Sequence, residues 1–302
     1  MIKTTQLSPK HLLLALATVL IWGLNFIAIY MGLKGFPPFL LCAMRFGLSA
    51  FPWIFMLPKP KAPLQYIIGY GLFTFALQFG FLFSGIYLGL SPGLSSLIIQ
   101  VQVFFSIGLA VLFFQDKPSL WKIFGSLISF VGIAIVGAHV SGGTSFLGLV
   151  LVLLAALSWA VGNMFTKKVD AQSSLSLVVW GNLVAFPFMA GFSLLMEGPD
   201  LILTSLQNVS WLTIGAIVYI VYFSSHIGYG AWGFLLKSYP TATVVPFTLL
   251  VPVIGFLGSV VFLGEELTSW KILASFFVMA GLVFNLLEKQ ILQQLQKMKS
   301  KK

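Results

Sequence analysis

Trp121-Lys122-Ile123-Phe124-Gly125-Ser126 returns as Trp270-Lys271-Ile272-Leu273-Ala274-Ser275, every position 149 residues further on. Trp, Lys, Ile and Ser coincide within this window, while Asp116 meets Glu265 before it and Gly132 meets Gly281 after it at the same offset. A constant offset of this kind marks an internal duplication. A weaker match at an offset of 137 sets Trp22 on Trp159, with an Asn one turn later in each copy, Asn25 and Asn163. The offsets differ by 12 residues, which the loops between copies can absorb.

Both copies are built from apolar runs. The 302-residue chain is 59% hydrophobic and 8% charged, with a mean hydropathy of +1.01, whereas soluble domains carry about 25% charged residues. A soluble enzyme is therefore excluded. Since a transmembrane helix takes about 20 apolar residues, the polar and Pro/Gly breaks predict ten spans. They cover about 11–33, 38–57, 65–88, 92–114, 120–138, 146–166, 175–196, 211–235, 241–263 and 270–287. Ser91-Pro92 marks the start of the fourth, because serine caps a helix and proline in its first turn sacrifices no hydrogen bond. Five spans per copy is an odd number, so the second copy enters the membrane upside down. The expected organisation is all-α: residues 1–140 as the first repeat, 141–288 as the second, inverted one, and 289–302 as a basic cytoplasmic tail lying on the membrane surface.

Charge distribution gives the orientation. With the amino terminus in the cytoplasm, 14 of the 17 Lys and Arg residues fall inside and only Lys34, Arg45 and Lys271 outside, as the positive-inside rule requires. Both termini are expected in the cytoplasm, in a multi-pass membrane protein. The net charge of +10 sits in short loops and the tail, so the bilayer, not nucleic acid, is its partner. The first span is too long for a signal-peptide core and is read as retained. A single cysteine, Cys42, allows no internal disulfide and no cysteine-based metal cluster. The histidines His11, His139 and His226 with no mid-span acid give no catalytic set or metal site, and no cofactor is expected.

Ionisable groups inside the bilayer are costly and mark function. Two qualify. Arg45 begins about two helical turns below the outer surface; it either anchors there by snorkelling or enters the cavity. His226 shares a helical stripe with Tyr219, Tyr222, Tyr229 and Gly230; it is either a neutral ring satisfied by a tyrosine hydroxyl or a proton handler. Uncharged polar residues within spans, Asn25, Gln78, Ser96, Gln100, Gln102 and Asn163, cannot face lipid without losing hydrogen bonds. They are either interhelical glue or, with Trp22, Trp159, Tyr222 and Tyr229, the wall of a substrate pathway. Gln100 and Gln102 point to different faces, so at most one of them lines a central cavity. Pro246 and Pro252 are expected to break the ninth helix and Pro187 the seventh.

Several short motifs occur in order along the chain: Trp22-Gly23-Leu24-Asn25-Phe26, Arg45-Phe46, Gln78-Phe79, Gly93-Leu94-Ser95-Ser96-Leu97, Ser158-Trp159-Ala160 with Gly162-Asn163 and Lys167-Lys168, Gly228-Tyr229-Gly230 with Trp232, Leu249-Leu250-Val251-Pro252-Val253 with Gly255, and Glu265. On these the sequence resembles the drug/metabolite transporter superfamily, EamA type, from the first helix to the ninth. The resemblance implies ten helices in two inverted repeats around a central pathway. It also implies export of small amino acids and related metabolites, of the O-acetylserine and cysteine kind, by alternating access. His226 and the lysine-rich tail match no motif of the family. Carriers of phosphorylated cargo would need several basic residues in the pathway, and only Arg45 is available. A passive channel, a membrane scaffold, or a carrier of other small neutral metabolites or drugs are the alternatives.

Overall fold

The structure, a computed structural model, describes residues 7–115, 117–139, 146–166 and 174–299; Lys3, Asp116, Lys167, Lys168, Lys301 and Lys302 from the sequence reading lie outside them. Ten helices are long and apolar enough to cross a membrane. They are α1 (Pro9–Leu33), α2 (Pro38–Phe55), α3 (Leu64–Tyr87), α4 (Pro92–Phe113), α5 (Leu120–Ala138), α6 (Phe146–Thr166), α7 (Leu175–Gln207), α8 (Trp211–Ser238), α9 (Val245–Leu263) and α10 (Ser269–Leu286). Their starts are chemically encoded. Ser8, Ser91, Ser119 and Ser210 each accept a hydrogen bond from the third backbone N–H beyond them, and proline follows directly in α1 and α4, supplying partners to amides a helix leaves unpaired.

The two segments that share the 149-residue offset pack on each other. Trp121 stacks on Phe284, and His139 stacks on Trp270, so α5 and α10 run antiparallel with the start of each beside the end of the other. Small residues let their backbones approach. The Ser129 hydroxyl donates to the Val278 carbonyl at 3.0 Å, and Gly125, Gly132 and Gly281 each face the partner's backbone with no room for a Cβ. The other packings pair up under the same correspondence. α1 lies on α9 as α6 lies on α4, α3 on α6 as α8 on α1, and α2 and α4 meet their own counterparts, α7 and α9.

Phenylalanines 46, 75, 79 and 83 from α2 and α3 anchor the main core. Outward, the pattern is the reverse of a soluble protein's. Leu112, Phe124, Phe262 and Phe276 are well exposed, as lipid-facing positions should be.

Four helices are broken at matching heights. α3 is a π-helix over Leu72–Leu77 and α8 over Tyr219–Gly228; shifted by 149 residues, the first falls inside the second. α4 tightens to 3-10 over Ile99–Val101 and α9 over Val245–Leu249, and these segments also overlap after the shift. Pro246 lies in the α9 break, and Pro252 sits in the first turn of the α-helix after it, Leu250–Leu263. Pro187, in contrast, is carried within an unbroken stretch, Ser174–Phe192. The irregularity in α7 comes later, as a π-turn over Ser193–Glu197. There Gly198 adopts a φ of +79°, a left-handed value open to glycine. A further helix, Gly198–Gln207, follows, so this element outruns the expected 175–196.

Two carboxylates from the second half close helix ends of the first. Glu197 accepts from the Phe39 and Leu40 amides at 2.6 and 2.9 Å, and from Ser193. Glu265 accepts from the Gly93 amide and the Ser91 hydroxyl and pairs with Lys271 at 3.0 Å. Each thus serves the first turn of a proline-started helix, where the dipole favours an anion.

The tail expected from residue 289 continues the tenth helix as far as Lys299. The tenth helix runs unbroken over Ser269–Lys299, because residues 288–299 contain no Gly or Pro and are mostly strong helix formers.

Candidate functional site

The π-segment of α8 organises the interior. Trp22 on α1 donates its indole N–H to the Ser224 carbonyl at 3.2 Å. Its ring lies 5.3 Å from both Tyr229 and Trp232, and Tyr229 meets Phe75 of α3 at 6.5 Å. Phe75 stacks on Phe79, one turn along α3. An aromatic path therefore joins α1, α8 and α3. The same helices α1 and α3 carry buried polar atoms without a hydrogen-bond partner among the described residues: Asn25 Oδ1, Gln78 Oε1 and Thr74 Oγ1, the last against Gly162 of α6. Such groups are costly in an apolar interior.

Arg45 is enclosed within the bundle and does not extend along its surface as snorkelling would require. It is 2% exposed, with its guanidinium carbon 3.8 Å over the Phe79 ring. Rings of α3 wall it off from lipid, so its length gains it no route to the interface. Nη2 donates to Ser225 Oγ at 3.5 Å, while Nε and Nη1 have no partner among the described residues. Tyr229 and Cys42 lie within its electrostatic reach.

Other candidates separate from this group. Tyr222 is 41% exposed on the outer face of α8, stacked on His226 at 5.7 Å. An i→i+5 turn changes the angular step along the helix, which splits the tyrosine stripe and leaves Tyr229 inside and Tyr222 outside. His226 is not satisfied by a tyrosine hydroxyl. Its two ring nitrogens face the Val221 and Ser49 carbonyls at 2.8 and 3.1 Å, between α8 and the end of α2, where Trp53 packs on it.

Ser96 donates to the Gly93 and Pro252 carbonyls and closes the α4–α9 contact. Asn163 donates to Gln102 Oε1 at 3.1 Å, so one of the two glutamines is the partner of the second asparagine. Gln100 is buried within the 3-10 turn. Trp159 is half-buried against the main core. The two asparagines thus differ: Asn163 is tied to α4, and Asn25 keeps an unpaired oxygen. Among the described residues no group of three or more His, Cys, Asp or Glu side chains could hold a metal ion.

Ten apolar spans in two corresponding halves, broken at equivalent heights beside buried polar groups, define a multi-pass membrane protein. The profile of the EamA-like transporter family matches residues 9–138 and again 146–287, and the chain belongs to this family. It is 40% identical over 290 residues to a protein of Salmonella typhimurium named "Probable amino-acid metabolite efflux pump", covering 92% of this chain and 95% of that one. The Escherichia coli protein of the same name is 39% identical with the same coverage. An "Uncharacterized transporter" of Archaeoglobus fulgidus is 26% identical over 90% of this chain and 97% of its own. A crystal structure described only as that of a protein superposes with a TM-score of 0.62 at 18% identity, over 94% of this chain and 98% of that one, which supports the fold.

Proposed function

We propose that the protein exports small amino acids and related metabolites, of the O-acetylserine and cysteine kind, from the bacterial cytoplasm across the inner membrane. The observation that carries this reading is the end-to-end 40% identity to a protein named as an amino-acid metabolite efflux pump. The site is in keeping with it. Neutral amide and hydroxyl oxygens among aromatic rings replace part of the water shell of a small polar solute without gripping it. Transport proceeds by alternating access of two inverted halves, residues 1–140 and 141–288, with both termini in the cytoplasm. The antiparallel seam of α5 with α10 and the matched breaks in α3, α8, α4 and α9 support a two-fold arrangement in which one half rocks against the other. Trp22, Asn25, Gln78 and Tyr229 line the pathway in this reading.

The test is efflux from proteoliposomes loaded with a panel of labelled amino acids and O-acetylserine. Saturable efflux with counterflow of at least one of them supports a carrier. Non-saturating flux without counterflow would indicate a channel, and no flux of any would end the exporter reading.

A further inference from the structure

Arg45 is the most fully enclosed charged side chain among the described residues, and its surroundings do not neutralise it. Phe79 lies under the guanidinium at 3.8 Å, and Phe46 and Phe83 stand 5.9 Å away. Aromatic faces offset part of the cost of removing a cation from water, but they accept no conventional hydrogen bond. The Ser225 hydroxyl accepts only one long bond, from Nη2 at 3.5 Å, and Nε and Nη1 have no acceptor among the described residues. Among the described residues ion pairing is confined to Lys271 with Glu265. Glu197, the acid that reaches α2, spends both carboxylate oxygens on the Phe39 and Leu40 amides. An arginine cannot escape this situation by losing its proton. Its planar fork suits a carboxylate better than any ammonium would, and an intramembrane charge of this kind marks a ligand path.

We propose that Arg45 is the subsite that binds the carboxylate of the transported solute. The inference rests on the exporter reading above and narrows it to solutes that carry a carboxylate. The carboxylate takes the unused guanidinium donors beside the Phe79 ring. Tyr229, within electrostatic reach of Arg45 and in ring contact with Trp22, joins this subsite to the rest of the pathway. The solute's ammonium turns to neutral oxygens, of which Gln78 Oε1, one residue from Phe79, is buried and unpartnered.

The test uses the full chain in proteoliposomes and measures counterflow of labelled L-cysteine and of labelled O-acetyl-L-serine. Competitors are unlabelled L-cysteine, cysteamine, which lacks the carboxylate, and 3-mercaptopropionate, which lacks the amine. In the wild type cysteamine should compete about tenfold or more weakly than L-cysteine, the loss expected for one charge-assisted hydrogen bond or more, and 3-mercaptopropionate should remain the better of the two analogues. In Arg45→Gln the preference for L-cysteine over cysteamine should vanish, with Arg45→Lys between. If neither labelled solute is transported by the wild type, the assignment to solutes of the O-acetylserine and cysteine kind, on which this inference rests, fails. If either is transported and cysteamine competes as well as L-cysteine, the carboxylate subsite is overturned while the exporter stands, and this arm needs no variant to fold. A folded Arg45→Gln that keeps the wild-type preference would likewise overturn it.

Discussion

Replacing Gly132 by alanine tests the seam between α5 and α10. A Cβ there would stand 2.7 Å from the Ala274 carbonyl oxygen and 3.0 Å from the Val278 nitrogen, where ordinary contact is 3.4–4 Å. The Val278 Cγ2 methyl also stands at 2.7 Å, but the other two obstacles are backbone, so turning a side chain does not clear the space and the helices must part by several tenths of an ångström. Overpacking of this sort costs about 1–3 kcal/mol, and parting the helices also weakens the nearby Ser129–Val278 hydrogen bond, worth about 0.6 kcal/mol in a membrane protein. Against this, alanine is a better helix former than glycine by roughly 0.5–1 kcal/mol. The expected net loss is about 1–2 kcal/mol. Gly108→Ala is the control, because no neighbouring atom lies within 4 Å of its Cβ position; it should gain about 0.5–1 kcal/mol. Unfolding in mixed detergent micelles, followed by tryptophan fluorescence, compares the two. Trp121 and Trp270 lie at opposite ends of the seam and report its loss. Equal stability of the two variants would refute the close-contact argument, since the chemical change is the same and only the surroundings differ.

Glu197→Gln leaves one of the Phe39 and Leu40 amides without an acceptor and removes the charge from the α2 start; a loss of about 1 kcal/mol is expected, and unchanged unfolding would show that the cap is idle. Asn25→Leu should lower efflux per molecule at unchanged membrane abundance, whereas Asn163→Leu should act mainly through the lost Gln102 bond, at about 0.6 kcal/mol; transport assays at matched expression show whether the two variants behave alike, which would contradict the distinction. His226→Gln should keep substantial downhill export and insensitivity to a collapsed proton gradient, because the ring lies at the α8–α2 contact between two backbone carbonyls, to one of which a neutral imidazole donates; accumulation ratios that follow the pH gradient in the wild type and lose it in the variant would refute this. Reporters active only in the cytoplasm should give signal at both termini, and a periplasmic signal from either end would overturn the inverted arrangement.

The span limits were legible because punctuation is local chemistry: Ser91-Pro92 reads as a helix start in sequence and is one in space. The duplication was legible because Trp121 and Trp270 sit at corresponding places on a shared surface. The π and 3-10 breaks were not, since the i→i+5 turns of α3 and α8 carry no required residue. Those breaks are why face assignments beyond them went astray. A regular 3.6-residue helix cannot account for Tyr222 and Tyr229 lying on different sides, and the 3-10 turn at Ile99–Val101 shifts the phase of everything after it, bringing Gln102 to Asn163. For Arg45 the sequence supplied only its distance from a helix end. What overrides snorkelling is Phe79 and Phe83, more than thirty positions away in the chain and placed beside Arg45 only by packing.

Glu197 and Glu265 are carried by one repeat and hold helix starts of the other, which bears on backflow. Any opening that draws α7 from α2 and the Glu265 segment from α4 strands two carboxylates and at least three amides together. With each cap worth about 1 kcal/mol, a form with both undone is roughly 30-fold rarer than it would be without them. If these ends face the periplasm and part during the export proposed above, the protein is held shut there between turnovers by its own acids, and solute already expelled finds few open molecules through which to leak home.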